Sequence, residues 1–361
     1  MPSNASDERP LTVLVLDVSP VAWGERDVQR TASDKARLAA GKRSMGPATL
    51  EELLSAVQAF CSAFCSLERD AALAIVAVAG TQVAIVYPRQ DQLETFFANP
   101  ETKLDTRNIP TDLIQGVEEL VTLAAKDASQ LPSVTASLAA MASAFSIALC
   151  LINRFLVAAN AGVSALHDSH IWNRGNADDE GVITAMSSTT GKKKSSKKAR
   201  AWSPRILLVQ ASDDRPGDYN ALMNCAFAAK KLQIVVDGCF IPSAAGSKSS
   251  AFLEQTCDLT GGLFLAPSGA AQANKTLTEV LLSVFLPPRS CRSKLNLPAI
   301  NKVDFRARSF DTGEIVDMAF VCEKCLSIFQ HKPQGRCPTC DAEIRIRKQP
   351  RLSNSNPSGT S

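Results

Sequence analysis

Residues 11–23 read LTVLVLDVSPVAW. From Leu11 to Leu16 the run holds five aliphatic residues and one threonine, with no polar alternation. That is the pattern of a strand covered on both faces, which belongs in a parallel sheet sandwiched between helices. The run stops at Asp17, and Ser19 and Pro20 follow at once. The strand therefore ends on a carboxylate and a hydroxyl, where open α/β sheets place their ligands.

A parallel strand needs crossover helices and further buried strands, and the downstream sequence supplies both. A helix is expected over about 47–68. Pro47 suits its first turn, and Leu50, Leu53, Leu54, Val57, Phe60, Cys61 and Phe64 recur at helical spacing. AALAIVAVAG (71–80) and TQVAIVYP (81–88) meet at Gly80-Thr81 as an antiparallel hairpin. Two helices are expected at about 111–127 and 133–160. The rhythm resumes with RILLVQAS (205–212), a helix at about 217–231, and LQIVVDGCFI (232–241). A short helix near 249–257, GGLFLAPS (261–268) and a helix at 272–285 complete it. This alternation predicts an α/β domain over 11–286, with a mainly parallel sheet, helices on both faces and the hairpin as an antiparallel edge.

Two stretches interrupt the order. Residues 24–46 are charged and weakly periodic, and read as an insertion after the first strand. Residues 173–202 lack an apolar pattern and read as a second, disordered insertion. The latter contains GKKKSSKKAR (191–200), which reads as a solvated loop, with a nuclear-import or nucleic-acid patch as the alternative. A disordered start at 1–10, a linker at 287–302, a small module at 303–346 and a disordered tail at 347–361 are the remaining parts expected.

Composition bounds the function. The 361 residues are 45% hydrophobic, enough to bury a full core, and 39 basic against 36 acidic residues leave a net charge of only +3. No global basic field gathers nucleic acid. The opening MPSNASDERP lacks the basic flank and apolar core of a secretory signal. Eleven cysteines without an export signal suit a reducing compartment. Residues 128–153 carry no charge and are long enough to span a bilayer, but the run is Ala-rich and broken by serines. It reads as a helix buried within the α/β domain.

The clearest chemical signal is CEKCLSIFQHKPQGRCPTC (322–340). Cys322, Cys325, Cys337 and Cys340 follow C-x2-C-x11-C-x2-C, and each pair can present two thiolates to one tetrahedral Zn²⁺. Four thiolates close the shell, so such a zinc is structural. His331, between the pairs, reads as a surface residue. Phe305, Phe310, Phe320, Ile328 and Phe329 are expected to form the module's mini-core. IRIRKQPR (344–351) is basic, yet no aromatic platform or recognition helix accompanies it, so protein contact is favoured over DNA contact.

Enzyme motifs are missing. No Gly-rich phosphate loop, G-x-S-x-G elbow or H-E-x-x-H occurs. His167-Asp168-Ser169-His170 reads as a loop, because catalytic partners come from separated segments. No catalytic residue and no small-molecule substrate are expected.

The strand order and the DVSP strand end resemble the von Willebrand factor A fold, a Rossmann-type architecture. In that fold an Asp-x-Ser-x-Ser start holds Mg²⁺. Here Asp17 and Ser19 match, but Val21 stands in place of the second serine. The strand at 205–212 ends in Gln210-Ala211-Ser212, with Asp213 and Asp214 displaced beyond it. A hard cation needs several well-placed oxygens, so Mg²⁺ is not expected, and Asp17 reads as a strand-end residue bonding the neighbouring loops.

Together with the module reading VDFRARSFDTGEIVDMAFVCEKCLSIFQ (303–330), the chain resembles one family. It is that of the smaller von Willebrand A-like core subunit of the transcription and DNA-repair factor TFIIH. The specific matches are Asp17, Ser19, Pro20 and Trp23, then 303–307 and 321–327, and the similarity covers 11–345 apart from the two insertions. Relatives often carry a further cysteine after Val-Asp-Phe-Arg-Ala, where this chain has Arg308, Ser309 and Phe310. The resemblance implies a non-enzymatic nuclear subunit with four zinc-ligating cysteines. It would pair with the larger A-like, zinc-carrying core subunit and help anchor the helicases used in RNA polymerase II initiation and nucleotide excision repair. The competing readings are a metal-dependent ligand-binding A domain and a nucleic-acid-binding zinc protein.

Overall fold

β1 (Glu8–Asp17) lies in the middle of a six-stranded sheet and pairs in parallel with both β2 (Ala72–Ala79) and β4 (Ala201–Gln210). The computed structural model describes residues 8–38, 47–67, 70–98, 106–128, 139–162, 201–243, 249–267, 277–292, 294–297, 309–310, 316–325 and 327–344. The chain divides into two compact units, residues 1–303 and 304–361.

In the first unit the strand order is β3-β2-β1-β4-β5-β6, with β3 at Gln82–Tyr87, β5 at Val235–Phe240 and β6 at Phe264–Leu265. All neighbours are parallel except β2 and β3, the hairpin. This is the doubly wound order, and with its antiparallel edge it is the mainly parallel α/β domain that the alternation predicted. Described helices follow the strands. They are α1 (Pro20–Leu38), α2 (Leu50–Leu67), α3 (Gln90–Ala98), α4 (Ile109–Ala128), α5 (Met141–Gly162), α6 (Tyr219–Lys231) and α7 (Ala251–Thr260). Short α8 (Leu277–Val280) continues as a π turn through Phe285, and α9 spans Arg289–Arg292.

The unbroken apolar run in β1 has its explanation in two cores. Leu14 and Leu16 pack on one side with Trp23, Phe60 and Phe64 and with α2, α4 and the turn at Leu281–Phe285. Leu11, Val13 and Val15 face the other side, with Phe145, Ile152 and Phe155 of α5 and the inner faces of α6 and α7. Burying each such side chain contributes about 1.5–3 kcal/mol, so both sheet faces are held by dispersion and water release. Helices α2 and α5 are long and apolar enough to cross a membrane. Their apolar sides instead supply the two cores, as expected of 128–153 for its described part.

Three differences from the sequence expectation have physical causes. Residues 24–38, read as the start of an insertion, continue helix α1. Among its described side chains the buried ones are Ala22, Trp23 and Arg26, and the charged residues between and after them hide the amphipathic period. Helix α3 was not foreseen because it is nine residues long and anchored by just Phe96 and Phe97. Strand β6 shrinks to two residues, following the Gly261–Gly262 turn. There Gly261 takes φ +72° to end α7, and a Cβ on Gly262 would lie 1.9 Å from the Val236 carbonyl oxygen. The lysine cluster 191–200 and the His167–His170 stretch lie outside the described residues.

In the second unit, β7 (Phe320–Val321) and β8 (Ile328–Phe329) form an antiparallel ladder. The core there is Cys322, Phe329 and Cys337, with Phe310, Cys325, Ala342 and Ile344 against it. Phe320 corrects the expected mini-core: although it stands directly across the ladder from buried Phe329, it is 50% exposed and outside the cluster that covers Phe329. Ala342 and Ile344, which the mini-core reading left out, pack against the cluster. Phe305 lies outside the described residues.

Candidate metal centre and the strand-end site

Two short turns bring the four cysteines together. Cys322 donates its backbone N–H to the Ser327 carbonyl (3.0 Å), which closes the first Cys-x-x-Cys turn beside the β7–β8 ladder. The second turn is closed by Cys337 N–H to Ala342 O (2.8 Å) and Asp341 N–H to Cys337 O (2.9 Å). All four sulfurs lie within 4.8 Å of one another. Across the two pairs, Cys322 Sγ stands 3.8 Å from Cys340 Sγ, and Cys325 Sγ stands 3.6 Å from Cys337 Sγ.

These separations discriminate between chemistries. A disulfide requires about 2.05 Å between sulfurs. Tetrahedral zinc–thiolate bonds of about 2.3 Å place ligand sulfurs about 3.8 Å apart. The cluster therefore fits a metal ion such as zinc. The Ser327 hydroxyl lies 3.1 Å from Cys325 Sγ, placed to support a thiolate from the outer shell. The Cys325 backbone N–H holds the Cys322 thiol below its ordinary value, at about 6, while the facing Cys340 thiol is pushed up to about 12, so the sulfurs titrate together as one cluster. His331 is exposed, as expected, and stands outside the four-sulfur group.

At the upper edge of the sheet, Asp17 is fully buried and its carboxylate is consumed by the chain itself. Oδ1 accepts from the Ser19 N–H (3.1 Å) and hydroxyl (2.6 Å). Oδ2 accepts from the N–H groups of Ala211 (3.0 Å) and Ser212 (2.7 Å) and from the Ser212 hydroxyl. The Ser19 hydroxyl in turn accepts from Gly80 N–H at 3.1 Å. Asp17 thus ties the ends of β1, β2 and β4 together, the strand-end role expected of it.

Asp214 has turned to another task. Its Oδ1 accepts from Gln210 Nε2 (3.0 Å) and the Ser250 hydroxyl, and its Oδ2 from Phe252 N–H (3.1 Å). Ser250 caps α7 by accepting from Leu253 N–H, so Asp214 secures that helix start and not the Asp17 site. Burial pushes the Asp214 carboxyl up, and the bonds from Ser250, Phe252 and Gln210 hold it back.

Sequence reasoning missed the arginines. Arg26 and Arg292 are buried and Arg205 is half-buried, and each reaches partners distant in sequence. Arg205 donates to the carbonyls of Phe285 (2.8 Å) and Pro287 (3.1 Å), and burial lowers its guanidinium to about 10. Only Arg26 offered a sequence signal, three residues after Trp23 on one helix face.

Comparison with known proteins extends these observations. The family model for transcription factor Tfb4 matches residues 9–341. The "General transcription and DNA repair factor IIH subunit TFB4" of Debaryomyces hansenii is 26% identical over 363 residues, covering 94% of this chain and 86% of that relative. The "General transcription factor IIH subunit 3" of Dictyostelium discoideum is 37% identical over 161 residues, and the match spans 44% of this chain and 40% of that relative's length. A solved structure, that of the TFIIH p34 N-terminal domain, covers 77% of this chain and 99% of its own at 18% identity and a TM-score of 0.49. With the family model running from β1 through all four cysteines, this chain belongs to the transcription factor Tfb4 family.

Proposed function

We propose that the chain is a non-catalytic architectural subunit of the general transcription and DNA repair factor IIH, acting in the nucleus through protein–protein contacts. One observation carries this: the family match runs without a break through both the sheet domain and the four-cysteine module, residues 9–341. The relatives' names place them in that factor. Cys322, Cys325, Cys337 and Cys340 hold one Zn²⁺ in a closed shell that sets the shape of the second unit and leaves no position for a reacting water. Asp17, the carboxylate best placed for chemistry at the strand ends, is committed to five hydrogen bonds within the chain, which supports a scaffold role.

The partners follow from the same reading. The larger A-like, zinc-carrying core subunit is the principal neighbour, and together they brace the helicase subunits for promoter opening and excision repair. Exposed Met318, Phe320 and Val321 on the zinc module are the kind of apolar surface that protein contact covers. Native purification of the tagged chain, with identification of co-purifying proteins by mass, tests this. Stoichiometric recovery with the larger subunit and the helicases is the expected result. A free monomer without large partners overturns it.

A further inference from the structure

Arg26 stands on the second turn of α1 and is only 2% exposed. A guanidinium so placed must find both acceptors and a counter-charge, since an unpaired buried charge costs several kcal/mol. Its acceptors are main-chain carbonyls. Nη1 donates to Ala22 O (2.8 Å), and Nη2 donates to Ile241 O (2.7 Å) and to Ala211 O. The group also lies over the Trp23 ring, 5.1 Å from its centroid, and the Trp23 indole N–H donates to the Asp17 carbonyl at 2.9 Å.

Asp17 approaches the same segment from the other side. Residue Ala211 has its N–H held by the Asp17 carboxylate and its carbonyl held by Arg26. One residue at the end of β4 is thus gripped between a buried anion and a buried cation. Ile241, just past β5, is drawn into the same grip. Burial weakens the charged form of Arg26, and Asp17 is the foremost charge restoring it, ahead of Asp213 and Glu25.

We propose that Arg26 is the resident cation of the Asp17 strand-end site: its guanidinium balances the buried carboxylate and bridges the ends of β4 and β5 to α1, so that this edge is closed without any divalent metal. A planar fork with several donors suits this bridging in a way that a point charge does not. The proposal concerns the isolated chain and stands apart from the assembly described above; its failure would leave the partner prediction untouched.

Urea denaturation of the full chain tests it, using wild type, Asp17→Asn, Arg26→Met and the double variant, each with and without millimolar Mg²⁺. Wild-type midpoints are expected to be unmoved by Mg²⁺. Arg26→Met is expected to lower the folding equilibrium constant by about a hundredfold or more, as for a broken buried pair. The double variant should be about tenfold more stable than the product of the single effects, the mark of two interacting groups. Additive effects would overturn the proposal, as would a wild-type gain in Mg²⁺ that Asp17→Asn abolishes. Should Arg26→Met not fold, Arg26→Lys takes its place in the cycle. It keeps the charge but loses the fork, so partial coupling to Asp17 is expected, and no coupling would overturn the proposal.

Discussion

Asp237 and Arg292 form a two-pronged ion pair beneath the surface of the sheet domain. Nη1 donates to Oδ1 at 2.8 Å and Nη2 to Oδ2 at 2.5 Å, with the carboxylate on β5 and the guanidinium at the end of α9. The Leu263 N–H adds a third bond to Oδ1 at 2.9 Å. The segment after the last long-range packing turn is thereby fastened to the sheet, within a stretch that the sequence presents as a linker.

Breaking that pair should be expensive. Arg292→Met leaves the buried Asp237 carboxylate with the Leu263 N–H and the nearby charge of Arg205 but without its bonded cation, and loss of one member of a buried pair costs about 3–5 kcal/mol. Urea denaturation followed by far-ultraviolet circular dichroism should show a midpoint shift of that size. An effect below about 1 kcal/mol would assign the pair to the surface class.

Asp214 gives a pH signature. Burial raises its carboxyl above the ordinary aspartate value, so the folded state binds a proton more readily than the unfolded chain. Its contribution is therefore fully present below about pH 3.9 and declines as pH rises through the higher folded value. The stability of wild type relative to Asp214→Asn should fall from about pH 4 towards neutrality. Chemical denaturation across that range checks it, and a difference that grows with pH would contradict the assignment.

The four-cysteine centre predicts a local loss. Cys322→Ser or Cys340→Ser removes one corner of the tetrahedron, and binding energy at such sites is folding energy. One equivalent of zinc is expected in wild type and none in either variant, by metal analysis. Limited proteolysis should then cut within 309–344, while the melting transition of the sheet domain stays unchanged. Full zinc content in a variant would remove that cysteine from the ligand set.

The sequence by itself determined much of this protein. An aliphatic run with no alternation suits a strand covered on both faces, so LTVLVLD followed by alternating helices and strands pointed to a helix-flanked sheet. The Cys-x-x-Cys pairs were equally legible, because their geometry is set by neighbours two residues apart, and the structure brings all four sulfurs into one cluster. The commitment of Asp17 to its own loops could also be read from the missing second serine.

Tertiary structure alone decided the rest. Arg26 meets Ile241 across 215 positions and Arg292 meets Asp237 across 55, and no local pattern encodes such encounters. Helix α1 looked like a charged insertion because, among its described side chains, Ala22, Trp23 and Arg26 are the ones that are buried. Short-range periodicity reports where water is excluded along one element. Which charge meets which, once water is gone, depends on how distant elements pack, and there the folded chain supplies its own counter-ions.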